Sequence, residues 1–393
     1  MNASPTPSAT PMDPPAPSPS QGVRSRFTRR GVIGAAGAVV ASAVLTPAVT
    51  ADTPSGAAGP ATPDAGTDAE SGMSSETFPE TRAQASTGEA PVRTAFPIGH
   101  VAVRWAGTRE TTGGGIRLTG ADGLKGSWQP LPDNGCSDSD GGALLIPVDQ
   151  ASGYELKAPD GATDLRSLAI DTTHGPKREV AVPRYVTRMG DVACLPRAAW
   201  GADEKLRFGP DGAERTPHRY HPFQALTVHH TATANGDEKP AATVRAIYHQ
   251  HAVTNAWGDI GYHFLIDEKG QIYEGRHSGE GDTPAHDEEG RVVTAFHAGG
   301  FNSGNLGISL IGNLVDQGPT PAARDALTRL VQSMIRFHQV DPEARVTYSN
   351  PLSGTERDVD RISGHRDWMA TACPGGTMYG ELAALRNAVA ADG

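Results

Sequence analysis

An α/β fold with a mixed central β-sheet flanked by helices, preceded by a small all-β module, is what this sequence predicts, and three observations predict it. Between residues 96 and 188, short runs alternate apolar and polar residues and are separated by Gly, Asp and Pro turns. From about residue 190 to 393, strand-like runs interleave with stretches of helical spacing. Before residue 95 neither period is present, so that part has no pattern from which to build a core. The chain of 393 residues is long enough for two or three domains. With 34 Lys and Arg against 45 Asp and Glu, its net charge of -11 lacks the basic surface that a phosphate backbone requires, which argues against nucleic acid as a partner. Three cysteines are too few for a disulfide scaffold, and their odd number leaves at least one thiol to be explained otherwise.

The elements follow in order. Residues 1–51 read as an export signal of the twin-arginine type. Arg24, Arg26, Arg29 and Arg30 precede the weakly apolar run from Gly31 to Val49, which ends at the small-residue pattern Val49-Thr50-Ala51. Glycines and alanines make that run too weakly hydrophobic to prefer a permanent membrane span. The expectation is therefore a bacterial, secreted or extracytoplasmic protein with no stable membrane insertion after cleavage. Residues 52–95, rich in Ala, Gly, Pro, Ser and Thr with Phe78 as their one aromatic, read as a disordered linker.

In 96–188 the runs Val101–Trp105, Ile116–Leu118, Tyr154–Leu156 and Leu168–Ile170 predict strands of an all-β module, of a size typical of a sandwich, with no convergent set of ionisable residues. Beyond 190, Ala225–His229 reads as a strand. Val244, Ile247, Tyr248 and His251 mark one helix face after Pro240. Tyr262–Ile266 and Gln271–Tyr273 flank a turn that places Gly270 where positive φ is wanted. Leu306–Ile311 predicts another strand. Thr320-Pro321 opens a long helix with an apolar face of Leu327, Leu330, Val331, Met334 and Phe337, and Met378, Leu382, Leu385 and Val389 mark a last helix.

Three segments concentrate histidine and cysteine at or near strand ends: Val228–Ala232, Phe296–Gly300, and Ser363–Asp367 running on to Ala372–Gly375. Side chains alternate across a strand, so one metal takes only one of His229 and His230. His365 and Cys373 are too far apart for one helical face, but a loop can join them. Two imidazoles and a thiolate would leave one position of a tetrahedral Zn²⁺ open for water.

Together with Gly261–Phe264, Tyr273–Arg276, His297–Gly299 and the upstream Pro196–Ala202, these segments resemble the peptidoglycan recognition proteins and the related zinc-dependent N-acetylmuramoyl-L-alanine amidases, the type 2, phage-lysozyme-like group. The resemblance covers residues 190–393, about half the chain. It implies a zinc amidase domain that cuts the amide between N-acetylmuramic acid and L-alanine of peptidoglycan. By position it implies His229, His365 and Cys373 as Zn²⁺ ligands, and Tyr262 and Thr371 as catalytic residues. It further implies that His230, Thr231, Trp257, His297 and Asn302 lie in the groove for a muropeptide. Trp368-Met369-Ala370 ahead of Thr371 and the acidic stretch from Ser278 to Val293 depart from the family pattern. Asp367 is one expected acceptor for the second nitrogen of His365, with a local cap as its alternative. Cys136 and Cys194 are candidates for an extracytoplasmic disulfide. The rival function is a non-catalytic peptidoglycan-binding receptor on the same fold, and a third is an adhesive surface protein built on the N-terminal module.

Overall fold

Alternation along Val101-Ala102-Val103-Arg104-Trp105 sends Val101, Val103 and Trp105 to one face of a strand and Ala102 to the other. The fold uses both faces. The computed structural model describes residues 72–132, 141–184, 186–279, 281 and 283–391, so the expected export signal, the first part of the expected linker and Cys136 lie outside the described residues. The first strands in chain order are β1 (Met73–Pro79), β2 (Arg82–Thr87), β3 (Val92–Ala106), β4 (Gly115–Thr119), β5 (Gln129–Pro130), β6 (Gly142–Lys157), β7 (Thr163–Asp171), β8 (Lys177–Pro183), β9 (Thr187–Met189) and β10 (Val192–Cys194). Six of them form an antiparallel sheet in the order β2-β7-β3-β6-β4-β5, while β1 pairs with β8 and β9 with β10.

The expected linker over 52–95 is corrected from Met73 onward. β1 pairs with β8 from Met73↔Pro183 to Pro79↔Lys177, and β2 pairs with β7 from Arg82↔Asp171 to Thr87↔Arg166. These Ser- and Thr-rich strands gain their ladders from partners about a hundred residues away and sit at sheet margins, where no apolar period is required.

One face of the six-stranded sheet packs Val101, Val103, Trp105, Ile116, Leu144 and Tyr154 into a core of its own. The other presents Ala102, Leu145, Leu168 and Ile170 to Val244, Ile247 and Tyr248. Those last three lie on α1 (Pro240–His249), so the layer that a sandwich would take from a second sheet is here supplied by a helix. Burying each Leu or Ile contributes roughly 1.5–3 kcal/mol, which makes the sheet and the helix one hydrophobic unit.

The remaining strands are β11 (Tyr220–His221), β12 (Ala225–His230), β13 (Phe264–Ile266), β14 (Ile272–Glu274), β15 (Val292–Val293), β16 (Asn305–Leu310), β17 (Arg345–Ser349), β18 (Glu356–Asp360) and β19 (Ile362–Gly364), with helices α2 (Pro321–His338) and α3 (Gly376–Ala390). The central sheet runs β14-β13-β16-β12-β19. β12 is parallel to β16 and β19, β13 is parallel to β16, and only the hairpin pair β13–β14 is antiparallel. The hairpin turns where expected: Asp267 Oδ1 accepts the Lys269 and Gln271 N–H groups, and Gly270 has φ of 81°.

Under one face of this sheet, Leu226, Val228 and Ile308 meet Leu327, Leu330, Val331 and Met334 of α2 and Met378, Leu382 and Leu385 of α3. Thr320 caps α2 by accepting the Ala323 N–H. Phe337, expected on the buried face of α2, is instead 43% exposed, because it falls in the last turn beyond the reach of the sheet. Cys194 is a buried free thiol in the same core, and burial pushes its pKa up to about 12. No described helix is long and apolar enough to cross a membrane.

Arg197 locks the start of the α/β region. It pairs with Asp259 at 3.1 Å and Glu204 at 2.8 Å and donates to the Gly275 carbonyl, while the Trp200 indole N–H donates to the Glu274 carbonyl. Arg197 and Asp259 are both 5% exposed, so Arg197→Ala leaves a buried carboxylate without its counter-ion. We expect a loss of about 3–5 kcal/mol in urea unfolding. At the seam between sheet and helix, buried His100 approaches Thr243 Oγ1 at 3.3 Å, and burial lowers its pKa from 6.5 to about 4. The unfolded chain therefore binds a proton there that the folded chain refuses. His100 costs nothing above pH 6.5, and stability is lost as pH falls from 6.5 toward 4, by about 1.4 kcal/mol per pH unit. Urea titrations at pH 7 and pH 5 should show this slope, and His100→Gln should lessen it.

Candidate metal centre

The site is a consequence of strand register. β12 and β19 run parallel with Leu226↔Ile362, Thr227↔Ser363 and Val228↔Gly364, so the next residues, His229 and His365, leave the two strand ends side by side. Their ring centroids are 4.4 Å apart. Ligand sites of parallel sheets form at such carboxyl ends. The strand period sets which histidine of the pair faces the site. Leu226 and Val228 point to the α2 core and His230 follows them, whereas Thr227 and His229 turn the other way.

Cys373 returns to this point through a loop pinned at both ends. Arg366 N–H donates to the Cys373 carbonyl at 3.1 Å, and the Arg366 guanidinium donates to the carbonyl of Ala372. In between, Trp368, part of the departure from the family pattern, is 1% exposed, packs on Phe301 and Tyr348, and donates its indole N–H to Ser363 Oγ at 3.0 Å. The bulk anchors the loop. Cys373 Sγ then lies 3.6 Å from His229 Nδ1, and one donor atom from each of His229, His365 and Cys373 falls within 4.8 Å of the others. Two imidazoles and a thiol, all buried, are the donor set that borderline-soft divalent ions prefer.

The tautomer of His229 follows from its surroundings. His297 Nε2 is 2.9 Å from the Asn305 carbonyl, which can only accept, so that nitrogen carries the proton and Nδ1 is an acceptor. His229 Nε2 lies 3.0 Å from His297 Nδ1 and must donate to it. The Nδ1 lone pair of His229 is thereby directed toward Cys373. Gly307 makes room for this relay, since a Cβ there would stand 2.6 Å from His297 Cγ. His263 fixes Gly307 in turn by accepting its N–H at 2.8 Å.

The other expected site residues divide. Tyr262 is 5% exposed, with its ring 5.3 Å from that of His229. Tyr262, Trp257, Thr231 and His297 line one cavity together with Gln250, His251, Asn255 and Phe296. Thr371 sits two residues before Cys373 and its hydroxyl oxygen accepts the Cys373 N–H at 3.2 Å. Two expectations are corrected. His230, expected in the groove, is fully buried on the opposite strand face, where its Nδ1 accepts the Leu314 N–H at 3.0 Å. Asn302 holds the loop, its side-chain oxygen accepting the N–H groups of His297 and Ala298, and it lines a different cavity. His297 touches the groove but acts chiefly behind His229, at 3% exposure. Asp367 takes its alternative as a local cap, accepting from Gly364 N–H and from the Tyr379 hydroxyl at 2.6 Å.

His251 and Asn305 were missed. The His251 ring lies 4.7 Å from that of Trp257 and accepts the Gly261 N–H, and the helical spacing that marked it as a core position was the available signal. Asn305 acts through its backbone oxygen, which no side-chain pattern reports.

Residues 219–376 match the family model described as N-acetylmuramoyl-L-alanine amidase. A peptidoglycan-recognition protein of Drosophila simulans is 31% identical over 190 residues, which cover 48% of this chain and 84% of that protein. The human N-acetylmuramoyl-L-alanine amidase is 29% identical over 195 residues, 49% of this chain. The matched region spans only 28% of that human protein and 31% of its mouse counterpart. Among solved structures, Drosophila peptidoglycan recognition protein SD aligns with a TM-score of 0.36 and 26% identity, over 48% of this chain and 92% of that one. The chain belongs to the family of peptidoglycan recognition proteins and N-acetylmuramoyl-L-alanine amidases.

Removing the partner behind His229 should weaken metal binding by the candidate donor set without touching a donor. His297→Phe is expected to lower Zn²⁺ affinity about 10–100-fold in chelator competition while the fold is kept. Unchanged affinity would detach His297 from the site.

Proposed function

We propose that the protein is an exported, zinc-dependent N-acetylmuramoyl-L-alanine amidase, and that His229, His365 and Cys373 hold the metal. The observation that carries this reading is the convergence of those three donors at paired strand ends, beside Tyr262. When bound, Zn²⁺ supplies a Lewis acid for the amide carbonyl and lowers the pKa of water to about 7.

The chain's own residues do the rest. The His297–Asn305 relay keeps His229 in the tautomer that offers Nδ1. Tyr262, in the cavity wall, donates a hydrogen bond to the oxygen of the reacting carbonyl as it gains charge. A correctly placed donor of this kind contributes about 10²–10³-fold. Thr371 has one lone pair engaged by the Cys373 N–H, which orients its hydroxyl for water or that same oxygen. Trp257 and Phe296, with near-parallel rings 6.1 Å apart at centroid, give the cavity an apolar face for a sugar or an alanine methyl. The export reading of residues 1–51 fits a wall substrate.

Two variants separate the amidase from a receptor on the same fold. His365→Ala is expected to abolish both zinc content and the release of new L-alanine amino termini from cell-wall sacculi. Tyr262→Phe should retain zinc and lose about 10²–10³-fold in kcat. Full zinc occupancy in the wild type with muropeptide binding but no cleavage would instead establish the receptor.

A further inference from the structure

The cavity beside Tyr262 has a wall that does not come from the amidase region. Ala143, Leu144 and Leu145, at the start of β6, line it opposite Trp257 and Tyr262. The wall is built in. Leu144 packs into the core of the N-terminal sheet and Leu145 into the core shared with α1, where Tyr262 also packs. Gly142 lets the strand cross the Trp105 indole, where any Cβ would collide. Gln250, which lines the same cavity, donates to the Leu144 carbonyl at 3.5 Å. The sheet also reaches the other flank of the centre, for Arg109, just after β3, donates to the carbonyl of Ala370, next to Thr371.

Two contacts from the N-terminal module, one from β6 on the Trp257 flank and one from the loop after β3 on the Thr371 flank, bound the groove. We propose that the N-terminal sheet is part of the substrate-binding groove, and that Ala143, on the same strand face as Leu145, restricts the substrate to short, uncross-linked muropeptides rather than strands within the intact wall. This rests on the amidase reading of the metal centre. A disaccharide-peptide has no continuing chain to accommodate, whereas a cross-linked strand must extend past the sheet. Ala143 is half-buried and faces the cavity, so enlarging it narrows the groove with little effect on either core.

The test uses the zinc-loaded full chain and measures cleavage of a purified disaccharide-tetrapeptide and of intact sacculi. The wild type is expected to cut the monomer at least tenfold faster per bond. Ala143→Trp should lose at least tenfold in kcat/KM on the monomer, mainly through KM, with zinc content and Tm retained. Leu124→Trp, on an exposed turn of the same sheet, should change neither rate. If Ala143→Trp does not fold, Arg109→Ala serves, with an expected rise of at least threefold in the sacculus-to-monomer ratio. Equal rates on sacculi and monomer, or an Ala143→Trp enzyme as active as wild type, overturns the proposal while leaving the amidase reading intact. A zinc-loaded wild type that cuts sacculi but not the monomer overturns this proposal alone; one that cuts neither removes the amidase reading, and this proposal with it.

Discussion

The parallel pairing of β12 with β19 is the constraint on which the site depends. Three residue pairs from Leu226↔Ile362 to Val228↔Gly364 bring together segments more than a hundred residues apart, and the two histidines simply continue that ladder. Gly364, at the last paired position, packs so closely on Pro374, Tyr379 and Leu382 that even a methyl group would touch all three at 3.0–3.1 Å. The strand end, the cysteine loop and α3 are therefore positioned by one contact, and the third donor arrives with the first two.

Around this ladder, polar groups are arranged so that each histidine has a defined role. A backbone carbonyl at Asn305 sets the proton on His297, and His297 sets the proton on His229. On the far face, His230 is spent on the Leu314 N–H. Two adjacent histidines of one strand thus do different work because the pleat turns them apart.

Much of this was legible from residue order, for definite reasons. The α/β strands and helices carry clear periods, and Ala225–His230, the Asp267–Gly270 turn and α2 fall where pattern and capping place them. The donor trio was named through the family resemblance, by position; taken singly, a histidine or cysteine in this sequence says little about a metal. What escaped notice were the residues that act through backbone atoms or across long separations. β1 and β2 have no apolar period, and their pairing partners lie near residues 166–183. Asn302 was placed in the groove by the family resemblance, yet its side chain folds back on the chain. Phe337 fits the helical period but outlasts the surface that the helix covers.

The two faces of β6 carry one last implication. Leu144 and Leu145 are consecutive and belong to separate hydrophobic cores, one internal to the sheet and one shared with α1. A slip of a single residue along β6 would send each side chain into the wrong interior and move Ala143 off the groove. The N-terminal region therefore cannot behave as an interchangeable cassette: its alignment is dictated by the domain that follows, and grafting it elsewhere would leave Ala102, Leu145, Leu168 and Ile170 uncovered.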